Sequence, residues 1–246
     1  MFATKLNVLL LAGLAMAAPA SRAAPTNMCT NQEGYSNSGY RVQNNLWGKD
    51  AATSGSQCSA VNSISSGGVV WSTTWEWYGG QNNVKSYAFS ALEGFTKKPV
   101  SQINSMPSTA AWSMNNPAAR CNVAYDLFTA ADPNHATYTG DYELMVWLAR
   151  YNGVGPIGSK KYSVNIGGIN WDLYYGLNGP MKVYSYVAQS TQANFNGDIK
   201  SFFNHMTSAE GFPASSQNLI TFQFGTEPFT GSKTTFDVSK WTAKVN

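Results

Sequence analysis

The strand pattern of this chain is clearest in GVVWSTTWEWY, residues 68–78. Apolar and polar residues alternate along it, which is the period of a β-strand that buries one face. A turn at Gly79 and Gly80 follows, and residues 84–89 then form a second candidate strand. The stretch therefore predicts two neighbouring strands of a sheet with a buried aromatic face.

Outward from this stretch, short segments rich in β-branched and aromatic residues are separated by Gly, Asn, Ser and Pro. They are residues 123–129, 142–150, 162–166, 170–175, 181–188, 219–224 and 234–238. Short strands at this spacing are typical of an antiparallel sandwich. We therefore predict an all-β domain.

One segment, residues 197–209, has a helical period instead. Its apolar residues recur three and four positions apart, as on one face of a helix: Ile199, Phe202, Phe203 and Met206. Asn196 is the predicted N-cap, Asp198 suits the positive end of the helix, and Gly211 followed by Pro213 is the predicted stop. We expect one amphipathic helix that packs on the outer face of a sheet.

The first 23 residues have the pattern of a secretory signal peptide. Lys5 supplies a positive charge, an apolar run over residues 8–18 follows, and small residues offer cleavage after Ala20 or after Ala23. The apolar run is too short to span a bilayer. We therefore expect a secreted chain with a single domain over residues 24–246.

The charge balance gives little support to nucleic acid or an anionic membrane as partner. Loss of Lys5 and Arg22 with the leader leaves 14 basic against 13 acidic residues, so the formal charge falls from +3 to about +1. Only 12% of the residues are charged and 13% are aromatic, so uncharged polar residues must solvate the surface. A neutral substrate fits such a surface better.

The chain has three cysteines, Cys29, Cys58 and Cys121. An oxidising compartment favours one disulfide and leaves one thiol. Three pairings are possible; we favour Cys29–Cys58, which would fasten the N-terminal segment and leave Cys121 buried. His135 and His205 are far apart and no C-x-x-C motif occurs, so a zinc site is not expected.

Glu143 lies in DYELMVWL, residues 141–148, a segment otherwise built to be buried. A buried charge costs several kcal/mol unless it is paired. Strand alternation places Glu143, Met145 and Trp147 on one face. A cleft for sugars needs carboxylates among aromatic and apolar surfaces, so this face predicts a carbohydrate site. The alternative is a structural acid satisfied within a hydrogen-bonded network.

Two further acids stand in apolar surroundings. Glu227 lies in FGTEPFTG, residues 224–231, where Pro228 removes a backbone donor and is expected to end the ladder. It is either an acid at a strand edge facing a cleft or a turn carboxylate. Asp126 lies inside the candidate strand 123–129. It could orient a neighbouring carboxyl, or it could be a structural acid.

An aromatic residue beside amides occurs in NNLWG, residues 44–48. The indole of Trp47 could stack on a pyranose while Asn45 contacts hydroxyl groups; the alternative is a core Trp at the start of a strand. Other chemistries lack parts. A Ser-His-Asp arrangement would need His135 in a Pro-Asn loop or His205 on the helix, and no Gly-rich phosphate loop opens a helix.

Four segments taken together resemble glycoside hydrolase family 12, the small fungal-type endo-β-1,4-glucanases and xyloglucanases. They are residues 44–48, 124–130, 140–148 and 224–231. The similarity runs from about Cys29 to Asn246. The spacings of 17 residues from Asp126 to Glu143 and 84 residues from Glu143 to Glu227 are similar to those of the family. Four motifs in series are a specific signal, whereas any one of them alone is not.

The resemblance implies a jelly-roll β-sandwich of two curved antiparallel sheets with an open cleft on the concave face. It also implies catalytic roles: Glu143 as the ionised nucleophile, Glu227 as the protonated general acid/base, and Asp126 as the residue hydrogen-bonded to the nucleophile. In a retaining glycosidase the two carboxyls lie roughly 5–5.5 Å apart. No metal or cofactor is then needed.

The resemblance also implies the binding residues. Asn45 and Trp47 match a glucosyl subsite on the non-reducing side, and Met145 and Trp147 line the cleft near the scissile bond. Pro156 belongs to a loop that crosses one end of the cleft. Cys29 and Cys58 match the disulfide of the family, whereas Cys121 has no counterpart there.

These observations predict a secreted, monomeric, retaining endo-β-1,4-glucanase. Its expected substrates are β-glucans: amorphous cellulose, mixed-linkage glucan or xyloglucan. One alternative is a non-catalytic carbohydrate-binding sandwich, which would use the same Trp and Asn residues but leaves Glu143 and Glu227 without a role. The other is a jelly-roll xylanase.

Overall fold

The computed structural model describes residues 24–246; the predicted leader, residues 1–23, lies outside the described residues. The strands of this part, in chain order, are β1 (Glu33–Asn37), β2 (Tyr40–Asn44), β3 (Ser54–Ser65), β4 (Gly68–Tyr78), β5 (Ala88–Leu92), β6 (Pro107–Met114), β7 (Arg120–Ala130), β8 (Tyr142–Tyr151), β9 (Ser159–Ile166), β10 (Ile169–Asn178), β11 (Met181–Ala188), β12 (Asn194–Asp198), β13 (Asn218–Leu219) and β14 (Gln223–Ala243). An α-helix, α1, spans Lys200–Glu210, and short 3-10 helices span Lys49–Ala51 and Val100–Gln102.

The strands form two sheets that share the long strand β14. The inner sheet has the order β1-β2-β5-β14-β7-β8-β11-β10-β9, with β13 added beside β7. The outer sheet has the order β3-β4-β14-β6-β12. The first part of β14 pairs with β5 and β7, and from Gly231 onward it pairs with β4 and β6. This arrangement is the predicted sandwich of two curved sheets.

One pair of strands departs from the antiparallel pattern that the sequence predicts. β8 and β11 run parallel, with Glu143 opposite Val183 and Val187 opposite Trp147. A parallel pair needs a long crossover connection, and here β9 and β10 supply it. The other pairings are antiparallel, so the jelly-roll architecture stands with this one exception.

The main core fills the space between the two sheets. Leu144, Val146 and Leu148 point into it from β8, and Trp71 and Trp241 reach it from the outer sheet. Burying an indole removes about 200 Å² from water, worth at most about 5 kcal/mol each. The alternation predicted for residues 68–78 is confirmed, because the buried positions of β4 include Trp71, whereas Glu76 is half-exposed.

The helix starts later than predicted. Asn196 is not its cap, because residues 194–198 form β12 and pair with β6. Instead, Oδ1 of Asp198 accepts hydrogen bonds from the backbone N–H groups of Lys200 (2.9 Å) and Met106 (2.7 Å), which fixes the turn into the helix. The predicted stop is confirmed, since Gly211 takes the left-handed conformation at φ 70°.

The helix packs where the sequence predicts, on the side of the inner sheet that faces away from the cleft. The ring of Phe202 lies edge-on to Trp171 of β10 at 5.0 Å and to Tyr186 of β11 at 5.1 Å. The hydroxyl of Tyr186 lies 2.8 Å from Nδ1 of His205.

Several strand boundaries differ from the prediction, and two of the differences have a visible cause. β5 begins at Ala88 rather than at residue 84, because the preceding backbone bonds outside a regular ladder: Lys85 N–H donates to Pro228 O at the bulge of β14, and Tyr87 N–H donates to Asn45 O in a loop. The predicted strand 219–224 is divided between β13 and β14, since the N–H groups of residues 220 and 221 both reach the carbonyl of Phe128.

Pro228 does not end the ladder, contrary to expectation. β14 continues through it to Ala243, and the pairing with β7 shifts register between Pro228 and Thr230. A proline inside a strand is tolerated at such a bulge, where no ladder donor is required. Five strands with mostly polar sequences, β1, β2, β3, β6 and β12, were not predicted at all.

The cysteines behave as the favoured pairing predicts. Cys29 and Cys58 form a disulfide that joins the N-terminal segment to β3. Cys121 is a free, buried thiol in β7, and burial raises its pKa to about 12. No helix within residues 24–246 is both long and apolar enough to cross a membrane.

Candidate active site

Three neighbouring strands in the middle of the inner sheet carry the three predicted catalytic acids. Glu227 lies on β14, Asp126 on β7 and Glu143 on β8, and β7 pairs with both of the other strands. On β7, Asn122 lies opposite Glu227 of β14, and Phe128 lies opposite Glu143 of β8. Asp126 lies between these two positions. All three acids point to the concave face of the sheet.

The concave face forms a cleft of about 790 Å³. Its walls combine amides, aromatic rings and apolar side chains around the three acids. Besides these acids, it is lined by Gln32, Gln43, Asn45, Trp47, Val84, Tyr87, Phe89, Phe128, Thr137, Tyr138, Thr139, Met145, Trp147, Gly155, Pro156, Ile157, Asn178, Met181, Val183, Gln223 and Phe229. Such a long mixed surface suits a carbohydrate chain, which presents C–H faces and hydroxyl edges in turn.

Glu143 is 9% exposed at the floor of the cleft. Its burial, together with the negative charge of Glu227, raises the pKa of the carboxyl to about 8. Leu144 and Val146, on the opposite face of β8, point into the core instead. The strand alternation thus directs the carboxyl of Glu143 into the cleft while the opposite face of β8 is anchored in the core.

Glu227 is held by one side chain, that of Asn122, which is fully buried. The Asn122 amide donates from Nδ2 to Oε2 of Glu227 at 2.5 Å and accepts at Oδ1 from the Glu227 backbone N–H at 3.0 Å. Burial raises the pKa of Glu227 to about 7, and the hydrogen bond from Asn122 opposes that rise. Asn122 therefore sets both the direction and the basicity of this carboxyl.

Asp126 is 7% exposed and lies in the same acid group. Burial and the charges of Glu143 and Glu227 raise its pKa well above the ordinary range of a carboxyl. Its Oδ1 atom is buried without a hydrogen-bond partner among residues 24–246. A buried oxygen of this kind is costly unless a proton or a ligand satisfies it.

Tyr87 also lies against the acids. It is 4% exposed and its hydroxyl donates to the Ala124 carbonyl at 3.1 Å. Burial and then the charges of Asp126, Glu227 and Glu143 raise the pKa of this phenol well above its ordinary value. None of the three ion pairs within residues 24–246 involves an acid of this group. The carboxyls therefore repel each other uncompensated, and this group retains protons near neutral pH.

The predicted binding residues all line the cleft, but they differ in exposure. Trp47 is 57% exposed, which favours the stacking platform over the core Trp. Pro156 and Asn45 are half-buried in the wall. Met145 and Trp147 are buried, and Trp147 Nε1–H donates to the Met145 sulfur at 3.4 Å, so Trp147 presents little surface to a ligand.

Several residues of the cleft were missed by sequence reasoning. Asn122 shares its face of β7 with Asp126, so the alternation that placed Asp126 could also have placed Asn122. Tyr87 lies outside a strand, and Tyr138 lies on the loop between β7 and β8 with 82% of its surface exposed. Loop residues have no periodicity, so no sequence signal could have placed these two.

The sequence profile of glycosyl hydrolase family 12 matches residues 38–246. Endoglucanase A of Aspergillus kawachii is 49% identical over 231 residues, which cover 92% of this chain and 96% of that protein. The xyloglucan-specific endo-beta-1,4-glucanase A of Emericella nidulans is 44% identical over 98% of this chain and 100% of its own length. The crystal structure of Trichoderma harzianum endoglucanase 3, from family GH12, superposes with a TM-score of 0.87 at 51% identity, covering 94% and 100% of the two chains.

Proposed function

Since the chain belongs to glycosyl hydrolase family 12, we propose that it hydrolyses internal β-1,4-glucosidic bonds of β-glucans with retention of configuration. The observation that carries this proposal is the group of three carboxyls in one open cleft, two of them buried and that of Glu227 half-buried, none of them paired with a cation. Carboxyls with raised pKa values in a cleft are typical of acid–base catalysis.

In the first step, Glu143 is the nucleophile. An oxygen of its ionised carboxyl forms a bond to the anomeric carbon while the bond from that carbon to the leaving glucosyl oxygen breaks. Glu227 transfers its proton to the leaving oxygen, so no free alkoxide is released. Half of the substrate then departs and the other half remains as an ester of Glu143.

In the second step, water replaces the departed sugar. Glu227, now ionised, takes a proton from the water, whose oxygen attacks the anomeric carbon and releases Glu143. Two inversions give retention. The two hydrogen bonds between Asn122 and Glu227 hold Glu227 in one orientation through both steps.

The proton distribution in the free cleft is opposite to the one these roles require. The pKa of Glu143 is about 8 and that of Glu227 about 7, because Glu143 lies deeper and is repelled by Glu227. In our proposal Asp126 reverses this order once substrate occupies the cleft. Its raised pKa keeps it protonated, and a hydrogen bond donated to Glu143 stabilises the ionised nucleophile.

Substrate contacts follow from the same cleft. Trp47 offers an exposed indole face to a glucosyl ring, Asn45 offers its side-chain amide to an oxygen of the sugar, and Pro156 borders one end of the cleft. The enzyme acts as a secreted monomer whose leader is removed; the homology to fungal endoglucanases and the signal-peptide pattern of residues 1–23 support this part of the proposal.

The first experiment measures new reducing ends from carboxymethylcellulose, mixed-linkage β-glucan, xyloglucan and xylan. We expect release from at least one of the three glucans at a rate well above that from xylan. No release from any glucan would contradict the function, and faster release from xylan would contradict the substrate class.

The second experiment follows the anomeric proton signals of the product by NMR in the first minutes of hydrolysis. A retaining enzyme releases the β-anomer first, and the α-anomer appears only by mutarotation. Initial formation of the α-anomer would contradict the role of Glu143 as nucleophile.

A further inference from the structure

A chain of side-chain hydrogen bonds leads along the cleft wall to Asn45. Arg41 Nε–H donates to Oε1 of Gln43 at 2.9 Å, and Nε2 of Gln43 donates to Oε1 of Gln32. Nε2 of Gln32 then donates to Oδ1 of Asn45 at 2.6 Å. Gln32, Gln43 and Asn45 all line the cleft.

The strand β2 explains why these residues are aligned. Arg41, Gln43 and the following Asn45 alternate with the buried Val42 and Asn44, so they share the cleft side of the strand. On the neighbouring strand β1, Gly34 leaves the space that the Arg41 guanidinium occupies, since a Cβ at Gly34 would lie 2.8 Å from Nη2. The guanidinium also contacts Ser36 Oγ, at 3.5 Å.

The guanidinium of Arg41 determines the donor-to-acceptor direction of these hydrogen bonds. An amide can turn either end toward a neighbour, but a guanidinium can only donate. The Gln43 atom that faces Arg41 must therefore be oxygen, which leaves its NH₂ group to face Gln32. The same logic turns the NH₂ group of Gln32 toward Asn45 and the oxygen of Asn45 toward Gln32.

We propose that Arg41, through Gln43 and Gln32, fixes the amide of Asn45 with its NH₂ group toward the cleft, as a dedicated donor to an acceptor oxygen of a bound glucosyl unit. Arg41, Gln43 and Gln32 are positioning residues, and Asn45 is the one that contacts sugar. The inference rests on the proposed function for the nature of the ligand. A ring or glycosidic oxygen can only accept, so it requires the NH₂ end of the amide, whereas a hydroxyl group could pair with either end.

The test reverses the donor-to-acceptor direction of the hydrogen bonds that run from Arg41 to Asn45. Arg41→Glu replaces the donor by an acceptor, which turns each amide around and presents the oxygen of Asn45 to the sugar. Arg41→Lys keeps a donor, and Arg41→Met removes the constraint. Lys240→Glu, an exposed site on the outer sheet, is the matched control for the change in charge.

The affinity for cellotetraose is measured by calorimetry in the Glu143→Gln background, which prevents turnover. We expect affinities within about twofold of the parent for Arg41→Lys and Lys240→Glu, about threefold weaker for Arg41→Met, and about 10- to 50-fold weaker for Arg41→Glu. Asn45→Asp, which lacks the donor, should lose as much as Arg41→Glu, and the double variant should lose little more.

A structural role of Arg41 would give a different ranking. It would make Arg41→Met and Arg41→Glu equally weak and lower their Tm together, which thermal unfolding of each variant detects. Equal affinity of Arg41→Lys and Arg41→Glu, or no binding of cellotetraose by the parent, would overturn the proposal. Hydrolysis of β-glucans by the wild type is scored separately, so failure of the proposed function is told apart from failure of the relay.

Discussion

Two regions of this molecule bury carboxyl groups and treat them in opposite ways. On the helix side of the inner sheet, the side chain of Glu210 is 3% exposed, and it accepts hydrogen bonds from Lys161 and from the Tyr162 hydroxyl. Burial alone would raise its pKa, but these donors outweigh burial and lower it. In the cleft, burial raises the pKa of both Glu143 and Glu227, the charge of Glu227 raises that of Glu143 further, and no cation opposes these shifts.

The opposite pKa shifts of Glu210 and the cleft acids show that burial of an acid does not by itself indicate function. What distinguishes the cleft is that its negative charge is left uncompensated while the surrounding strands are well packed. A fold normally pairs such charges. Uncompensated carboxyls that persist in an open cleft are available to exchange protons with a ligand, and Glu210 is not.

Loss of a cleft carboxyl should lower kcat far more than loss of the carboxyl of Glu210, and this is the largest effect that we expect. Glu143→Gln and Glu227→Gln should each lower kcat by about 10³-fold or more, because they remove the nucleophile and the proton donor. Glu210→Gln should stay within about twofold of the wild type. The rate of reducing-end release from the best glucan measures all three. Near-native turnover of either cleft variant would abolish the distinction between the regions.

Within the cleft, substitutions of Asp126 test whether it donates a hydrogen bond to Glu143. Asp126→Ala should lower kcat by about 100-fold, since Glu143 loses the donor that stabilises its ionised form. Asp126→Asn retains an NH₂ donor and should lose less. Thermal unfolding of both variants serves as the control for folding. If both substitutions have equal effects on kcat, hydrogen-bond donation by Asp126 is not its role.

Stability should respond with opposite sign in the two regions. The folded pKa of Glu143, about 8, lies above its ordinary value of 4.5, so ionisation destabilises the fold as the pH rises between these values. Glu143→Gln should therefore raise Tm by several degrees at pH 8 and by little at pH 4.5. Glu210→Gln should lower the free energy of unfolding at pH 8 by about 1 kcal/mol, and with it Tm.

Calorimetric unfolding at the two pH values measures this contrast, and Glu76→Gln on the outer sheet is the matched control. A lower Tm for Glu143→Gln at pH 8 would show that the cleft carboxyl is compensated after all, as Glu210 is.

The smallest expected effect concerns the alkaline limit of activity. In the substrate complex Glu227 must hold a proton, and its pKa is about 7, so kcat should fall as the pH rises through that value. Asn122→Leu removes the donor that lowers this pKa and should move the alkaline limb upward by about one pH unit. The pH profile of kcat is the measurement, with Asn116→Leu in the loop between β6 and β7 as control. An unmoved limb would show that another group sets it.

The sequence predicts the fold best where one face of a strand is strongly apolar. β4 and β11 were predicted to the residue, and β8 almost so, because β4 alternates buried Val and Trp with polar residues, and β8 and β11 are nearly continuous runs of buried residues. β1 and β12 carry little apolar surface and depend on pairing with β2 and β6, which is a long-range property. The same pairing moved the start of the helix to Lys200.

For the site, the sequence identified residues that break a local pattern, as Glu143 does within an apolar strand. It could not identify partners that fit their surroundings, and Asn122 and Tyr87 are of this kind. It also could not fix the proton order in the cleft, which depends on burial depth and on charges from three strands. The roles of the acids therefore remain predictions that the experiments above address.

The passage of β14 from one sheet into the other has a mechanical consequence. Glu227 lies on this strand just before the bulge at Pro228, and a few residues later Phe236 is wedged between Trp71 and Trp112 in the core. The strand that positions the proton donor is thus anchored at its distal part by packing in the hydrophobic core. We therefore expect loss of this packing on heating to misalign the proton donor, so that activity falls at a lower temperature than the one at which the sandwich unfolds.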